Sequence, residues 1–429
     1  MESNFVVEGL GGKKILKGEI AVAGAKNAVL KALAATMLFE DDVVLKNVPA
    51  IEDVERLCEL LKVAGAQIAR QGSELTVTPP KVCVYALDKK IAERLRASIV
   101  LAGPTLARCG EVSFPFPGGC VLGERPIDLF IEGFKAMGAE ITEDNSYFTV
   151  KTKGGKLQGT HIIFPFVSVT ATETLMLAAL LAEGETILEN AAMEPEIPHL
   201  AEFLNSCGAS IEGAGTPTIR IVGGVPLVAQ GKAYTTLPDR IETGSFIILA
   251  ALAGSEVTIT GCIPNHCGAL IALLRRAGVS IETTKDTIVV RGREPNEQFK
   301  MISVRTHEYP GFPTDLQAPM SIFMSQASGE GTVLETIFDG RFRYTDDLVR
   351  MGADITVMNP HRILIRGPRK LSKKDLESPD LRGGLAYIIA ATVADGTSTI
   401  RNAYLIDRGY EHIEERLQKL GLNIRRMKV

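Results

Sequence analysis

The chain lacks the marks of membrane, secreted and nucleic-acid-binding proteins. Nowhere in its 429 residues is there a window of about 20 apolar residues, the length a helix needs to cross a bilayer. A formal net charge of -4, with no basic cluster, leaves no electrostatic footprint for nucleic acid, and 45% hydrophobic residues indicate a soluble folded protein. The N-terminal stretch MESNFVVEGLGG has no positively charged segment leading a long apolar one, so no signal peptide is expected. Seven cysteines, scattered at positions 58, 83, 109, 120, 207, 262 and 267, read as reduced thiols in a cytoplasm. Cys262, His266 and Cys267 lie close together, but no second Cys or His pair completes a zinc site, and they read as loop and core residues. The other histidines form no cluster.

What the chain has is repetition. A phrase ending in Gly, a small or apolar residue and Ile recurs six times: LKVAGAQI at Gly65, FKAMGAEI at Gly138, LNSCGASI at Gly208, LRRAGVSI at Gly278, LVRMGADI at Gly352 and LQKLGLNI at Gly421. The steps between these glycines are 73, 70, 70, 74 and 69 residues. Solenoid units run to about 50 residues, so each copy is a small domain-like unit. An Ala-rich run precedes each phrase: Ala28 to Met37, Ala97 to Ala107, Thr170 to Ala182, Thr243 to Ala253, Ala318 to Ala327 and Gly384 to Ala394. These runs carry few charges on any face, as helices buried on all sides do. A turn and a β-branched strand follow, as in AEGETILEN from Ala182 and GEGTVLETI from Gly329. Then comes an amphipathic helix: in Val54 to Val63, Val54, Leu57, Leu60 and Leu61 share one face. The phrase glycine suits its C-cap, and a strand follows.

The unit is α/β with an inversion, the helices inside and the sheets around them. The chain is longer than one core usually serves, so the natural division is two domains of three units each.

Reactive residue types gather in two sets of loops at equal places in the repeat. The first set leads into the buried helices: Gly24-Ala25-Lys26-Asn27, Arg96-Ala97-Ser98, Ser168-Val169-Thr170, Asp239-Arg240-Ile241-Glu242, Pro313-Thr314-Asp315 and Leu381-Arg382-Gly383. Helix N-termini present unpaired N–H groups, so several aimed at one cleft, with Lys26, Arg96 and Arg382 among them, would trap an anion. The second set precedes the surface helices: Gly118-Gly119-Cys120, Arg125-Pro126, Asp339-Gly340-Arg341 and Asp407-Arg408-Gly409-Tyr410. Each residue also has an ordinary reading. A charge near a helix end is most often a solvated ion pair, Asp315 reads equally as a plain N-cap, and Cys120 as a small buried hydrophobe. Against these stand recurrence in register, the rigid frame PGFPTD around Asp315, and a thiol in a Gly and Pro loop five residues before Arg125, a setting that lowers a thiol pKa.

Seven motifs in order, GAKN at Gly24, RAS at Arg96, PGGC at Pro117, RP at Arg125, PDRIETG at Pro238, FPTDLQA at Phe312 and IDRGYE at Ile406, resemble the UDP-N-acetylglucosamine 1-carboxyvinyltransferase family of enolpyruvyl transferases, over essentially the whole chain. The resemblance implies two inside-out α/β domains, each of three βαβαββ-like repeats, around a deep active-site cleft. It places residues 23–237 in the first domain, with the Cys120 loop, and residues 1–22 with 238–429 in the second. It implies transfer of the enolpyruvyl group of phosphoenolpyruvate to the sugar 3-hydroxyl with loss of phosphate, in a bacterial cytoplasm. No metal or organic cofactor, membrane, nucleic acid or obligate protein partner is implied.

By the same resemblance Lys26, Arg125 and Arg408 meet the anionic groups of phosphoenolpyruvate, for which guanidinium forks are suited. Cys120 is the general acid toward C3, and Asp315 the carboxylate that accepts the 3-hydroxyl proton. Asn27, Arg96, Ile337, Arg341 and Arg382 are expected to contact substrate in the cleft. Arg125, Pro126, Ile127, Asp128 and Leu129, with Ser168 and Val169, are expected to hold the nucleotide. The Pro115 to Arg125 loop is expected to close over bound sugar nucleotide, and fosfomycin, an epoxide mimic of phosphoenolpyruvate, to alkylate Cys120. Four places depart from the family pattern: Thr170 stands for a Gly in SVGAT, Phe166 and Ala50 each replace a Lys of some relatives, and Gly383-Gly384-Leu385 replaces an Ala-rich opening. The alternatives are the sister transferase acting on shikimate 3-phosphate, an inactive sugar-nucleotide binder of the same fold, and a six-repeat DNA clamp, which would need basic helices that this chain lacks.

Overall fold

Helices made largely of Ala, Gly, Thr and aliphatic residues can be buried on every side, and six of them form the centres of this molecule among its described residues: α1 Lys26–Ala35, α2 Ala102–Cys109, α3 Val169–Ala179, α4 Arg240–Ala253, α5 Gln317–Ser325 and α6 Leu381–Val393. The computed structural model describes residues 3–82, 84–93, 95–115, 127–144, 146–293 and 297–428, with Arg96 in its backbone only. Every residue of α3 after Thr170 is buried, and so is every residue of α4 after Arg240. Small residues set how closely such helices approach. A Cβ at Gly103 of α2 would lie 2.2 Å from the carbonyl oxygen of Thr174 on α3, so only glycine allows that crossing.

Two compact units carry these helices, one made of Gly24–Cys120 with Glu124–Leu237 and the other of Met1–Ala23 with Pro238–Val429. Each has its own apolar core. In the first, α1, α2 and α3 are surrounded by three sheets. Their strand orders are 233–235, 43–46, 74–78, 67–71; then 111–115, 147–152, 139–143; then 210–212, 218–222, 185–189, 161–163. In the second, α4, α5 and α6 pack on one another within sheets ordered 280–283, 287–291, 254–260, 16–21; then 299–300, 327–334, 362–367, 354–359; then 375–377, 397–401, 3–8, 424–428. Two of these sheets are completed by the start of the chain. Ser3–Glu8 lies antiparallel between Thr397–Arg401 and Ile424–Lys428, and Leu16–Ala21 runs parallel to Gly254–Thr260.

Strands alternate as one-sided sheets should: Thr218–Val222 turns Ile219 and Ile221 inward and its other residues to solvent. The six phrase glycines have φ from 86° to 111°, the left-handed conformation that ends a helix and that a β-carbon disfavours. Sequence spacing and backbone therefore describe the same unit, with a second strand closing a hairpin after the surface helix in the first five copies and the N-terminal strand Ser3–Glu8 pairing with the last strand in the sixth. No helix among the described residues is long and apolar enough to cross a membrane.

Candidate active site

In the unit built on α1 to α3, the candidate residues stand at helix starts. Gly24 precedes α1 where the backbone of Asn47 packs so closely that a Cβ would sit 1.9 Å from its carbonyl oxygen. Lys26 opens the helix, and its Nζ lies 2.7 Å from Oδ2 of Asp53, a nearly buried carboxylate in the first turn of Glu52–Val63. Half-buried Asn27 follows, its carbonyl accepting a hydrogen bond of 2.9 Å from Lys31 Nζ one turn later. Lys31 also pairs, at 2.9 Å, with Oε2 of Glu173 on α3. One ammonium thus ties the helix bearing Lys26 and Asn27 to the helix that Ser168 caps, where the Ser168 hydroxyl accepts from the N–H of Ala171 at 3.3 Å. Glu173 is fully buried, and desolvation raises its carboxyl from the ordinary 4.5 to about 7 even with Lys31 opposing the shift.

Val169 and Thr170 are half-buried beside Ser168, while Phe166 and Ala50, where some relatives have Lys, are exposed. Ile127 immediately precedes the helix Asp128–Ala136, with Asp128 exposed in its first turn and Leu129 half-buried. Arg96 opens the short helix Arg96–Leu101 that leads into α2. Cys120, Arg125 and Pro126, and with them the loop expected to close, lie outside the described residues.

The unit built on α4 to α6 draws its candidates into direct contact. Asp315 lies inside the turn Thr314–Leu316 before α5 and not at its N-cap, which is Pro313. Instead Oδ1 accepts from Arg341 Nη2 at 2.6 Å and Oδ2 from Arg382 Nε at 3.0 Å. The plain N-cap reading of Asp315 is thereby overturned; that role falls to Asp239, which accepts from the N–H groups of Ile241 and Glu242 at the start of α4, and to Asp380 at the start of α6. Both arginines are almost fully buried. Burial opposes the charge on Arg341, yet Asp315 beside it holds its pKa above the usual value. Burial likewise works against Arg382, and Tyr410, Asp315 and Asp239 more than compensate. Arg382 Nη1 donates to the Tyr410 hydroxyl at 2.8 Å; burial pushes that hydroxyl up to about 12 although the guanidinium works the other way. Arg408, half-buried, ends the helical turn Tyr404–Asp407 two residues before Tyr410.

The sequence predicts an anion trap at the helix starts, and in the structure Lys26 and Arg382 are already paired with carboxylates. A substrate anion at either would compete with Asp53 or Asp315, respectively. Sequence reasoning also missed Asp53, the Lys31 and Glu173 pair, and Glu335. The signal for the pair was present: Lys31 is the one charge in α1 after its first residue and Glu173 the one charge in α3, and two such groups can be buried together only by pairing. Cys262 and Cys267 are buried, and desolvation pushes their thiols up to about 11 and about 12.

The EPSP synthase (3-phosphoshikimate 1-carboxyvinyltransferase) family profile matches residues 10–417. The chain belongs to this carboxyvinyltransferase family. Among curated family members, the chain is 42% identical over 427 residues to UDP-N-acetylglucosamine 1-carboxyvinyltransferase of Koribacter versatilis (strain Ellin345), covering 99% of this chain and 96% of that one. It is 43% identical over 419 residues to the protein of the same name from Magnetococcus marinus, covering 97% and 98%. Solved carboxyvinyltransferase-family structures share its fold. The enolpyruvyl transferase NikO from Streptomyces tendae superposes with a TM-score of 0.87 at 22% identity, over 100% of this chain and 99% of NikO. EPSP synthase from Acinetobacter baumannii superposes with a TM-score of 0.75 at 21% identity, over 99% and 100%. The inside-out α/β fold is thus that of the enolpyruvyl transferases.

Proposed function

We propose that this chain transfers the enolpyruvyl group of phosphoenolpyruvate to the 3-hydroxyl of UDP-N-acetylglucosamine, releasing phosphate, as the first committed step of peptidoglycan synthesis in a bacterial cytoplasm. The observation that carries this reading is identity of 42–43% along 97–99% of the chain with relatives named for that acceptor. The geometry around Asp315 supports it. A base for a sugar hydroxyl must be ionised and aimed, and two guanidiniums on separate segments fix both carboxylate oxygens of Asp315.

In the addition step the 3-hydroxyl oxygen bonds to C2 of phosphoenolpyruvate, its proton passes to Asp315, and a proton from Cys120 reaches C3. The tetrahedral adduct then expels phosphate from C2, which takes the proton held by Asp315, while the Cys120 thiolate takes back a proton from C3 and the double bond is restored. Lys26, Arg125 and Arg408 meet the phosphate and carboxylate, and Arg341 and Arg382 stabilise charge as it develops. Asn27, Arg96, Ile337, Ser168 and Val169, and the run Pro126 to Leu129, hold the sugar nucleotide. Lys26 would exchange Asp53 for the substrate phosphate, so its pairing is a resting arrangement.

Phosphate release from phosphoenolpyruvate tests the reading, with UDP-N-acetylglucosamine and shikimate 3-phosphate compared as acceptors. Release with the sugar nucleotide alone is the expected outcome. Release with shikimate 3-phosphate alone would assign the sister reaction, and silence with both would favour a binding-only protein. Asp315→Asn should lower kcat by about 100-fold to 10,000-fold, the range for a lost general base. Cys120→Asp should abolish alkylation by fosfomycin while keeping part of the turnover.

A further inference from the structure

Glu335 follows the strand Ala327–Leu334 and is 1% exposed. A lone carboxylate at that depth is costly unless donors surround it, and five do. Oε1 accepts from Thr306 Oγ1 at 3.0 Å and from the N–H groups of Ile337 and Phe338 at 2.8 and 3.1 Å. Oε2 accepts from Thr314 Oγ1 and Gln317 Nε2, each at 2.7 Å.

These donors come from three segments that carry the candidate chemistry. Thr314 and Gln317 flank Asp315 in sequence. The Thr314 hydroxyl, having given its hydrogen to Glu335, accepts from Arg341 Nη1 at 2.9 Å while Nη2 of the same guanidinium binds Asp315. Ile337 and Phe338 open the loop that brings Arg341 back, and the Arg341 guanidinium lies 5.3 Å from the centre of the Phe338 ring. Thr306 is itself tied to this loop, accepting from the Thr336 N–H at 2.8 Å. One carboxylate thus fixes the turn that bears the base, the loop that bears its guanidinium partner, and the hydroxyl between them.

We infer that Glu335 is a positioning residue of the transfer reaction, holding Asp315 and Arg341 in register through Thr314 and the Ile337–Phe338 amides without touching substrate. The inference rests on the reaction proposed above and adds a residue to its machinery. Losing this register misplaces the base by a fraction of an ångström to an ångström, an error that lowers rates by about 100-fold at most.

The test is a double-mutant cycle of Glu335→Gln and Thr314→Val. Glu335→Gln should lower kcat by about 10-fold to 100-fold, with KM for phosphoenolpyruvate and for the sugar nucleotide within about threefold of wild type. The double variant should be no more than about threefold below the slower single variant, because the Thr314 hydroxyl positions the base only through its bond to Glu335. Multiplying effects, or kcat of Glu335→Gln within about twofold of wild type, would overturn the inference. Amide hydrogen exchange supplies a readout independent of turnover. Leu316, whose N–H bonds to the carbonyl of Pro313, should exchange at least about 10-fold faster in Glu335→Gln while amides along α5 keep their wild-type rates. Equal acceleration along α5, or none at Leu316, would reduce Glu335 to a general structural role. An inactive wild type would defeat the proposed reaction and leave the exchange measurement to decide the placement of the Asp315 turn. Should Glu335→Gln fail to fold, Thr314→Val alone must show the kcat loss and the local exchange.

Discussion

Glu173 in one unit and Glu335 in the other are both buried beneath candidate residues, and the two are held in opposite ways. Glu335 has five donors on its carboxylate. Glu173, 0% exposed, meets only the Lys31 ammonium among the described residues; no hydroxyl or amide reaches either oxygen. Burial is therefore equal and satisfaction is not. The difference bears on function: the arginine-bound unit holds both carboxylate oxygens of Asp315 in a lattice of hydrogen bonds, whereas in the lysine-bound unit one point charge links α1 to α3. Guanidinium forks orient a carboxylate, while an ammonium mainly attracts one.

The largest effect expected from this contrast is on stability. Glu335→Leu removes the acceptor of five buried donors at once and should destabilise the protein by on the order of 5 kcal/mol, or prevent folding. Denaturant unfolding measures it, and a loss below about 2 kcal/mol would mean that the five bonds are not acting together. Lys31→Met should be milder, about 2 to 4 kcal/mol, because the stranded Glu173 can take up a proton in place of its partner. Lys31→Met with Glu173→Leu should recover most of that loss, since a buried pair replaced by apolar groups of similar size is often neutral or stabilising. A double variant as unstable as Lys31→Met alone would show that the pair holds α1 on α3 in a way that apolar contact cannot replace.

Much of this architecture was legible in the sequence, for reasons tied to particular residues. The phrase glycines had to adopt a left-handed backbone, and they do. Runs such as Thr243 to Ala253 had too little polarity to face water, and they are the core. Side-chain partnership was not legible. Asp315 looked the same as a helix cap or as a base, because one sequence cannot show that Arg341 and Arg382, 26 and 67 residues away, converge on it. Glu335 was hidden for a related reason: two of its donors, the Ile337 and Phe338 amides, follow it directly, but those of Gln317, Thr314 and Thr306 come from 18, 21 and 29 residues away. The Lys31 and Glu173 pair was missed because the Ala-rich runs were read for how few charges they held and not for where those charges stood.

The smallest expected effect separates the two glutamates by pH. The Glu173 carboxyl is raised from the ordinary 4.5 to about 7, first by burial, with Glu196 and Glu194 adding repulsion and Lys31 opposing both. Below pH 4.5 Glu173 is protonated in folded and unfolded chains alike and contributes nothing. Between pH 4.5 and about 7 the unfolded chain gives up the proton while the folded one keeps it, so stability falls as pH rises, and above about 7 the loss is constant. The full shift corresponds to roughly 3 kcal/mol. Comparing wild type with Lys31→Met, Glu173→Leu at pH 5 and pH 8 isolates this term, because the other carboxylates titrate in both proteins and cancel. Wild type should lose about 1 to 3 kcal/mol relative to the double variant on going from pH 5 to pH 8. A difference independent of pH would mean that the single ammonium satisfies Glu173 as fully as five donors satisfy Glu335, and the contrast between the two units would fail.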